Sequence, residues 1–420
     1  MKRVVLVICD GLRADMVRPE WTPNLCKIGG EGRTYLNHQS VFPSTTRTTA
    51  ASIATGCYPA KHGLEGNAVA LDEGRGLVAL SVGHADFRDR MLKATGKTLK
   101  VPTISERLVK RDPAIIFSNV SPGAAYFQDP DGFGYVYHRS GSFGPGLRPI
   151  NDSDHLNVSH DANGDNIMTD WFCNEILCKR KPLYSVLWLC EPDYTQHANP
   201  LGSAKNLAAL SAADKNAGKV AAIVNQQNLK EDILLIIASD HGHQTVSDIL
   251  PLSNLLVMEG LKGDLDSSDV VVASNGLSAN IYLSNEGQNK KNQIVQFLQT
   301  LNCLDKIFFD DSLKNVGQNS TGYLAISVTT KNTFEANEFG IIGKSVAIED
   351  PLHNDTAIGC GQHGGLGKFE QNPFLIIKGV NFASKSCHTE ATSAVDLAPT
   401  ILSFLGEPHT HMDGRILSCS

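Results

Sequence analysis

The 420-residue chain has no Cys-x-x-Cys pair, no internal repeat, no excess of basic charge and no apolar run of membrane-spanning length. Each absence removes a class of protein. Without the Cys-x-x-Cys spacing, thiolate zinc modules and thioredoxin-type redox sites drop out. The ten cysteines are instead scattered from Cys9 to Cys419, and Cys9 and Cys190 sit inside apolar runs, as buried reduced thiols do. No stretch approaches the roughly 20 apolar residues of a membrane helix. The opening run Val4–Cys9 is too short for a signal h-region, so the expectation is a cytoplasmic protein with no membrane partner. Lys+Arg 37 against Asp+Glu 44 gives a net charge of -7, which argues against a partner that is a nucleic-acid polymer. An anionic substrate would need local positive charge, from metal or arginine. With 41% hydrophobic and 19% charged residues the composition is that of a globular protein. At about 150 residues per domain the length allows two or three units, or one large α/β core with insertions.

Four short apolar runs are present, at 4–9, 185–190, 233–238 and 374–377. They do not alternate, which suits strands covered on both faces in a parallel sheet. Helical patterns at 103–110, 204–229 and 394–405 lie between them, so the chain reads as α/β. Residues 120–165 carry Gly, Pro, Asp, Tyr and Phe without periodicity. Residues 265–350 read as a small α+β unit, with strand-like segments at 270–273, 279–283, 306–309 and 323–328 and a helix at about 290–303. The expected organisation is a core over 1–264 and 351–420, with an irregular insertion at about 120–165, and an inserted α+β cap over 265–350.

Three apolar runs end in polar residues: Cys9 leads to Asp10-Gly11, Cys190 to Glu191-Pro192-Asp193, and Ser239 to Asp240-His241-Gly242-His243. Ligands in open α/β sheets bind beyond the carboxyl ends of the strands. Asp193 and His197, four apart, share a helix face and make half of a zinc site, or else a capping acid and a solvated imidazole. Asp240 and His241 can reach one metal from a tight turn. His363 stands in the glycine-rich Gly361-Gln362-His363-Gly364-Gly365, where the backbone can approach closely. Asp10 can cap a helix or bind metal. Together Asp10, Asp193, His197, Asp240, His241 and His363 form an N/O donor set without thiolates. Two divalent ions of a hydrolytic centre need about six such ligands. A nucleophile is on offer in Pro43-Ser44-Thr45-Thr46-Arg47-Thr48-Thr49, which runs into a helix whose N-terminus stabilises anions. A metal-bound hydroxyl there can attack phosphorus; for any one of these residues an N-cap role competes.

These motifs, in this order, resemble the alkaline phosphatase superfamily, and most closely its nucleotide pyrophosphatase/phosphodiesterase group, which includes phosphonoacetate hydrolases. The resemblance also takes in Thr22-Pro23-Asn24-Leu25, Thr55-Gly56-Cys57-Tyr58-Pro59-Ala60-Lys61-His62-Gly63, Val395-Asp396-Leu397-Ala398-Pro399-Thr400 and Met412-Asp413-Gly414-Arg415. It implies a three-layer sandwich around a mostly parallel central sheet. It implies two Zn2+ per chain, with Mn2+ or Fe as alternatives. Asp193, His197 and His363 would hold one ion, and Asp10, Asp240, His241 and the Thr46 oxygen the other. Thr46 would be the nucleophile and form a phospho-threonine, with Asn67 near the site. One departure stands out. Many diesterases carry an asparagine two positions after the nucleophile, whereas Arg47 and Thr48 follow Thr46 here. An arginine fork at that place would favour a dianionic monoester or a carboxylated phosphonate. The expectation is a dizinc hydrolase of phosphodiester or nucleotide pyrophosphate bonds acting on a small phosphorylated or phosphonate substrate. The alternatives are phosphonoacetate hydrolysis, phosphomonoester hydrolysis and, remotely, a non-catalytic zinc-binding module. A phosphoglycerate mutase-like transferase, which prefers Mn and a serine nucleophile, fits the Thr46 context less well. A homodimer is left open.

Overall fold

The computed structural model describes residues 2–151, 155–228, 230–320, 322–352 and 356–417, so Cys419 and residues 152–154 of the 120–165 segment lie outside the described residues. The four apolar runs become neighbouring strands of one ten-stranded sheet. Lys2–Cys9 runs parallel to Tyr184–Leu189 on one side and to Asp232–Ala238 on the other. Ile115–Ser118 and Tyr135–His138 continue the parallel set. The fourth run, Leu375–Lys378, enters against Asp232–Ala238 in the antiparallel sense. A run covered on both faces carries no mark of its direction, so the sequence pattern could not distinguish the two. Within the aperiodic 120–165 segment, short strands at Tyr135–His138, Phe143–Gly144 and Arg148–Pro149 extend one edge of this sheet.

Alternate residues of the central strands feed two separate cores. Val4, Leu6, Ile8, Val186, Trp188 and Ile236 pack with Ile401 and Leu402 of the Leu397–Leu405 helix and with Ala50 and Ile53 of the Thr46–Thr55 helix. Val5, Val7, Leu187, Leu235 and Ile237 pack with Leu210, Ala217, Val220 and Val224 of the 24-residue helix Ala204–Gln227. That helix starts where the Ser203 side chain accepts a hydrogen bond from the Asn206 N–H. Helices on both faces of a mostly parallel sheet give the three-layer α/β arrangement.

The register explains where the polar strand ends meet. Cys9 pairs with Leu189 and Ile8 with Ala238, so Asp10, Cys190 and Asp240 leave the sheet at one level. Over this edge lie two smaller sheets. Val270–Ser274, Ser278–Leu283, Leu324–Thr330 and Leu304–Phe309 form a four-stranded antiparallel sheet with the Lys291–Leu298 helix packed in its core. Asn332–Ala336 and Ile342–Ile348 join Gln244–Leu250 and Gly361–Gln362 in another. The second of these sheets therefore ties residues 332–348 to the segments that carry His243 and His363. Among the described residues no helix is long and apolar enough to cross a membrane, and the cysteines form no disulfide.

Leu235 is fully buried on the helix-covered face of a central strand. Leu235→Ala should cost about 2–5 kcal/mol in a denaturant titration; a loss below about 1 kcal/mol would contradict the two-core packing.

Candidate metal centre and active site

Three strand ends and two loops build the site. From the first strand end comes Asp10, buried, whose Oδ2 accepts the Trp188 indole N–H at 2.7 Å. Gly11 takes a left-handed φ of 67°, and its N–H donates to Asp240 Oδ1 at 3.1 Å. The Asp240 carboxylate is thus tied to the backbone that follows Asp10. After Tyr184–Leu189 the chain turns into the short helix Asp193–Ala198, which places Asp193 and His197 on one face with His197 Nε2 3.4 Å from Asp193 Oδ1. After Asp232–Ala238, the Ser239 hydroxyl accepts the Leu12 N–H and donates to the His241 carbonyl, closing the turn that aims Asp240 and His241 inward. His363 arrives from the glycine loop, with its Nδ1 2.8 Å from the Ser44 carbonyl and its ring stacked 3.7 Å from that of His241.

Of the residues expected as metal ligands, Asp10, Asp193, Asp240, His241 and His363 supply donor atoms to two groups, whereas His197 falls outside both, its Nε2 3.4 Å from Asp193 Oδ1. His241 Nε2 lies 3.3 Å from Asp240 Oδ2 and 3.5 Å from Asp10 Oδ1, and His363 Nε2 lies 3.7 Å from Asp193 Oδ1. Donor atoms fall into two groups that could each hold an ion: Asp10, Asp240 and His241 in one, and Asp193, His241, His243 and His363 in the other. His243 was visible in the Asp240–His243 turn but was not among the expected ligands.

The electrostatics show what the cluster requires. Burial, then the neighbouring Asp240 and Asp193 carboxylates, push Asp10 well above the usual range. Burial and Asp193 push Asp240 up to about 8. Burial also opposes charge on Asp193, yet His197 and His243 outweigh it and hold that carboxyl well below its ordinary value. Burial drives His241 down to about 3 and His363 well below its ordinary value, so both imidazoles are neutral. Asp10 Oδ1 and Asp240 Oδ2 are buried and have no hydrogen-bond partner among the described residues. Three converging carboxylates, two orphaned carboxylate oxygens and neutral imidazoles fit divalent cations bound by nitrogen and oxygen.

The hydroxyl-rich segment sorts itself out in three dimensions. Thr45 donates to Thr48, Ser40 and Thr49 pair at 3.2 Å, and the Ser44 hydroxyl donates to the Gly365 carbonyl. Thr46, first residue of the Thr46–Thr55 helix, instead points its Oγ1 to within 3.1 Å of His241 Nε2. Beside it, the Arg47 N–H donates to Asn67 Oδ1 at 3.0 Å, and the Arg47 guanidinium donates to the Ser121 hydroxyl and the Asn67 carbonyl. Asn67 is held in turn by its N–H to Asn275 Oδ1 at 2.6 Å. Thr46, Arg47, Asn67, Asp193, His197 and His363 line a cavity of about 600 Å³, and the His160 and Tyr194 rings, tilted to each other with centroids 4.4 Å apart, line it too. Ser121, His160 and Asn275 come from segments with no motif, and only the tertiary fold delivers them; Tyr194 stands between Asp193 and His197.

The profile of the type I phosphodiesterase / nucleotide pyrophosphatase family matches residues 4–324. Among solved structures, that of murine ectonucleotide pyrophosphatase/phosphodiesterase 5, an inactive variant in complex with AMP, has a TM-score of 0.69 at 18% identity, covering 99% of this chain and 97% of that one. A second structure of the same murine protein gives a TM-score of 0.69 at 18% identity, with 98% and 97% covered. These likenesses show the fold. No curated protein matches the chain.

The crowding of carboxylates has a consequence for the protein stripped of metal. An Asp240 carboxyl pushed up to about 8 binds a proton more tightly folded than unfolded, where its value is about 3.9. The associated stability is complete below the unfolded value and is lost as pH rises through 8. In excess chelator, Asp240→Asn should therefore raise Tm at pH 9 by several degrees and flatten its fall between pH 6 and pH 9. A lower Tm for that variant in chelator would contradict the repulsion.

Proposed function

Because the chain belongs to the type I phosphodiesterase / nucleotide pyrophosphatase family, we propose that it is a metal-dependent hydrolase of phosphate esters, cleaving a phosphodiester or nucleotide pyrophosphate bond with Thr46 as nucleophile. The observation that carries this reading is the position of Thr46 Oγ1, at a helix N-terminus and 3.1 Å from His241 Nε2, amid the six donors. Asp193, His197 and His363 would hold one cation, and Asp10, Asp240, His241 and Thr46 Oγ1 the other; zinc is the first choice, with manganese or iron as alternatives. Bound there, two divalent cations supply the positive charge that favours a deprotonated hydroxyl and offsets the charge building on the phosphoryl oxygens.

The remaining work belongs to the chain. Thr46 gives up its hydroxyl proton to solvent and attacks phosphorus, forming the Thr46 O–P bond as the bond to the leaving oxygen breaks and that oxygen keeps the electron pair. Water then cleaves the phospho-threonine, restoring Thr46 and releasing the second product. The positive end of the Thr46–Thr55 helix dipole favours the anion throughout. Asn67, held by Asn275, braces the Arg47 N–H at that helix start. A cavity of about 600 Å³ accommodates a nucleotide-sized substrate, and the AMP in the murine structure supports the same class.

A second reading stays with the same nucleophile. Arg47 lines the cavity next to Thr46, with its guanidinium steered by Ser121 and Asn67. A cation at that place favours a dianionic monoester or the carboxylate of a phosphonate such as phosphonoacetate. The two readings separate in the ratio of bis-p-nitrophenyl phosphate to p-nitrophenyl phosphate hydrolysis by zinc-loaded protein. The diester should be preferred, and Arg47→Met should leave that preference in place. A monoester preference that Arg47→Met abolishes would establish the second reading. In either case Thr46→Ala should lose at least about a thousandfold in turnover while keeping its metal; turnover within tenfold of wild type would remove Thr46 as nucleophile.

A further inference from the structure

One buried imidazole beside the centre has no part in the reaction above. His243 is fully buried, with Nε2 2.7 Å from Asp193 Oδ1. Its ring lies 5.0 Å from that of His363 and 5.1 Å from that of His197. The space around it is shaped for an imidazole: a Cβ at Gly11 would come within 2.7 Å of Nε2, and one at Gly361 within 2.9 Å of Nδ1. The backbone is fixed as well, since the His243 carbonyl accepts from the buried Arg13 guanidinium at 3.3 Å. By proximity alone His243 would count as a further donor to the ion beside Asp193.

Two features assign it a different task. The first is distance. Donor atoms that face a common point without a proton between them stand 3.3 to 3.7 Å apart here, as His241 does from Asp240 and Asp10, and His363 from Asp193. His243 Nε2 and Asp193 Oδ1, at 2.7 Å, are at hydrogen-bond distance, and two lone pairs would repel there. The second is the other ring nitrogen. His363 Nδ1–H donates to the Ser44 carbonyl and His241 Nδ1–H to the Gly242 carbonyl, which turns the Nε2 lone pair of each to the centre. His243 Nδ1 is buried with no partner among the described residues. A proton on Nδ1 would be a stranded donor, whereas a proton on Nε2 is accepted by Asp193.

We infer that His243 is a positioning residue that donates its Nε2–H to Asp193 and fixes that carboxylate for its cation, and that it is not itself a ligand. The inference rests on the reading of Asp193 as a metal ligand. Partners of this kind typically change metal affinity by 10- to 100-fold.

The test measures metal, not turnover. Zinc dissociation constants would be obtained by competition with a fluorescent chelator on wild type, His243→Leu, His243→Gln and His363→Leu, each checked for folding by circular dichroism. His243→Leu should bind one of two zincs 10- to 100-fold more weakly. His243→Gln, whose amide retains a donor, should recover most of that loss. His363→Leu should lose one zinc outright. If both His243 variants behave like His363→Leu, His243 is a ligand and the inference is wrong; if His243→Leu binds both zincs as wild type does, it has no role. X-ray absorption at the zinc edge gives a second reading on unaltered protein: imidazoles from His197, His241 and His363 alone are expected, and a fourth would overturn the inference. Wild type that takes up no zinc would instead bring down the reading of the centre on which the inference rests.

Discussion

The structure is organised around three carboxylates that its own fold forces together. Asp10 and Asp240 leave the sheet edge at one level because their strands are parallel and in register, Asp193 joins them from the short helix after Tyr184–Leu189, and Gly11 and Trp188 pin two of the three in place. Mutual repulsion and loss of hydration oppose this arrangement, as the raised proton affinities of Asp10 and Asp240 show. Imidazoles rendered neutral by burial surround the acids and add nitrogen lone pairs without competing positive charge. Carboxylates gathered at such a cost fit cations bound there. The Thr46 hydroxyl and the cavity beside it are arranged around that one constraint.

Much of the centre is legible in sequence because its donors stand just after an apolar strand, on the short helix that follows one, or inside a glycine loop. The chemistry of Asp10, Asp193, His197, Asp240, His241 and His363 is local to short motifs, and the sheet edge does the rest. The choice among Ser44, Thr45, Thr46, Thr48 and Thr49 is not local. All five are hydroxyls near a helix start, and family resemblance singled out Thr46. In the structure four of them spend their hydroxyls on neighbours while Thr46 faces the donors.

Other features were beyond sequence reading for physical reasons. The reversed direction of Leu375–Lys378 leaves no trace in a run that is apolar on both faces. The strands at 135–149 are too short to show a period. Ser121 and Asn275 reach Arg47 and Asn67 across 74 and 208 positions of sequence, through contacts that exist only once the sheets have packed. His243 is the opposite case: it was in plain view in the Asp240–His243 turn, and its function emerged only from a hydrogen-bond length and from what its second nitrogen lacks.

The measurement that bears most directly on this account is an anomalous difference map from crystals of the zinc-loaded protein, collected on both sides of the zinc edge. The account predicts two peaks, one among Asp193, His197 and His363 and one among Asp10, Asp240, His241 and Thr46. A map with no peak at these residues, or with one ion shared by all six, would contradict it.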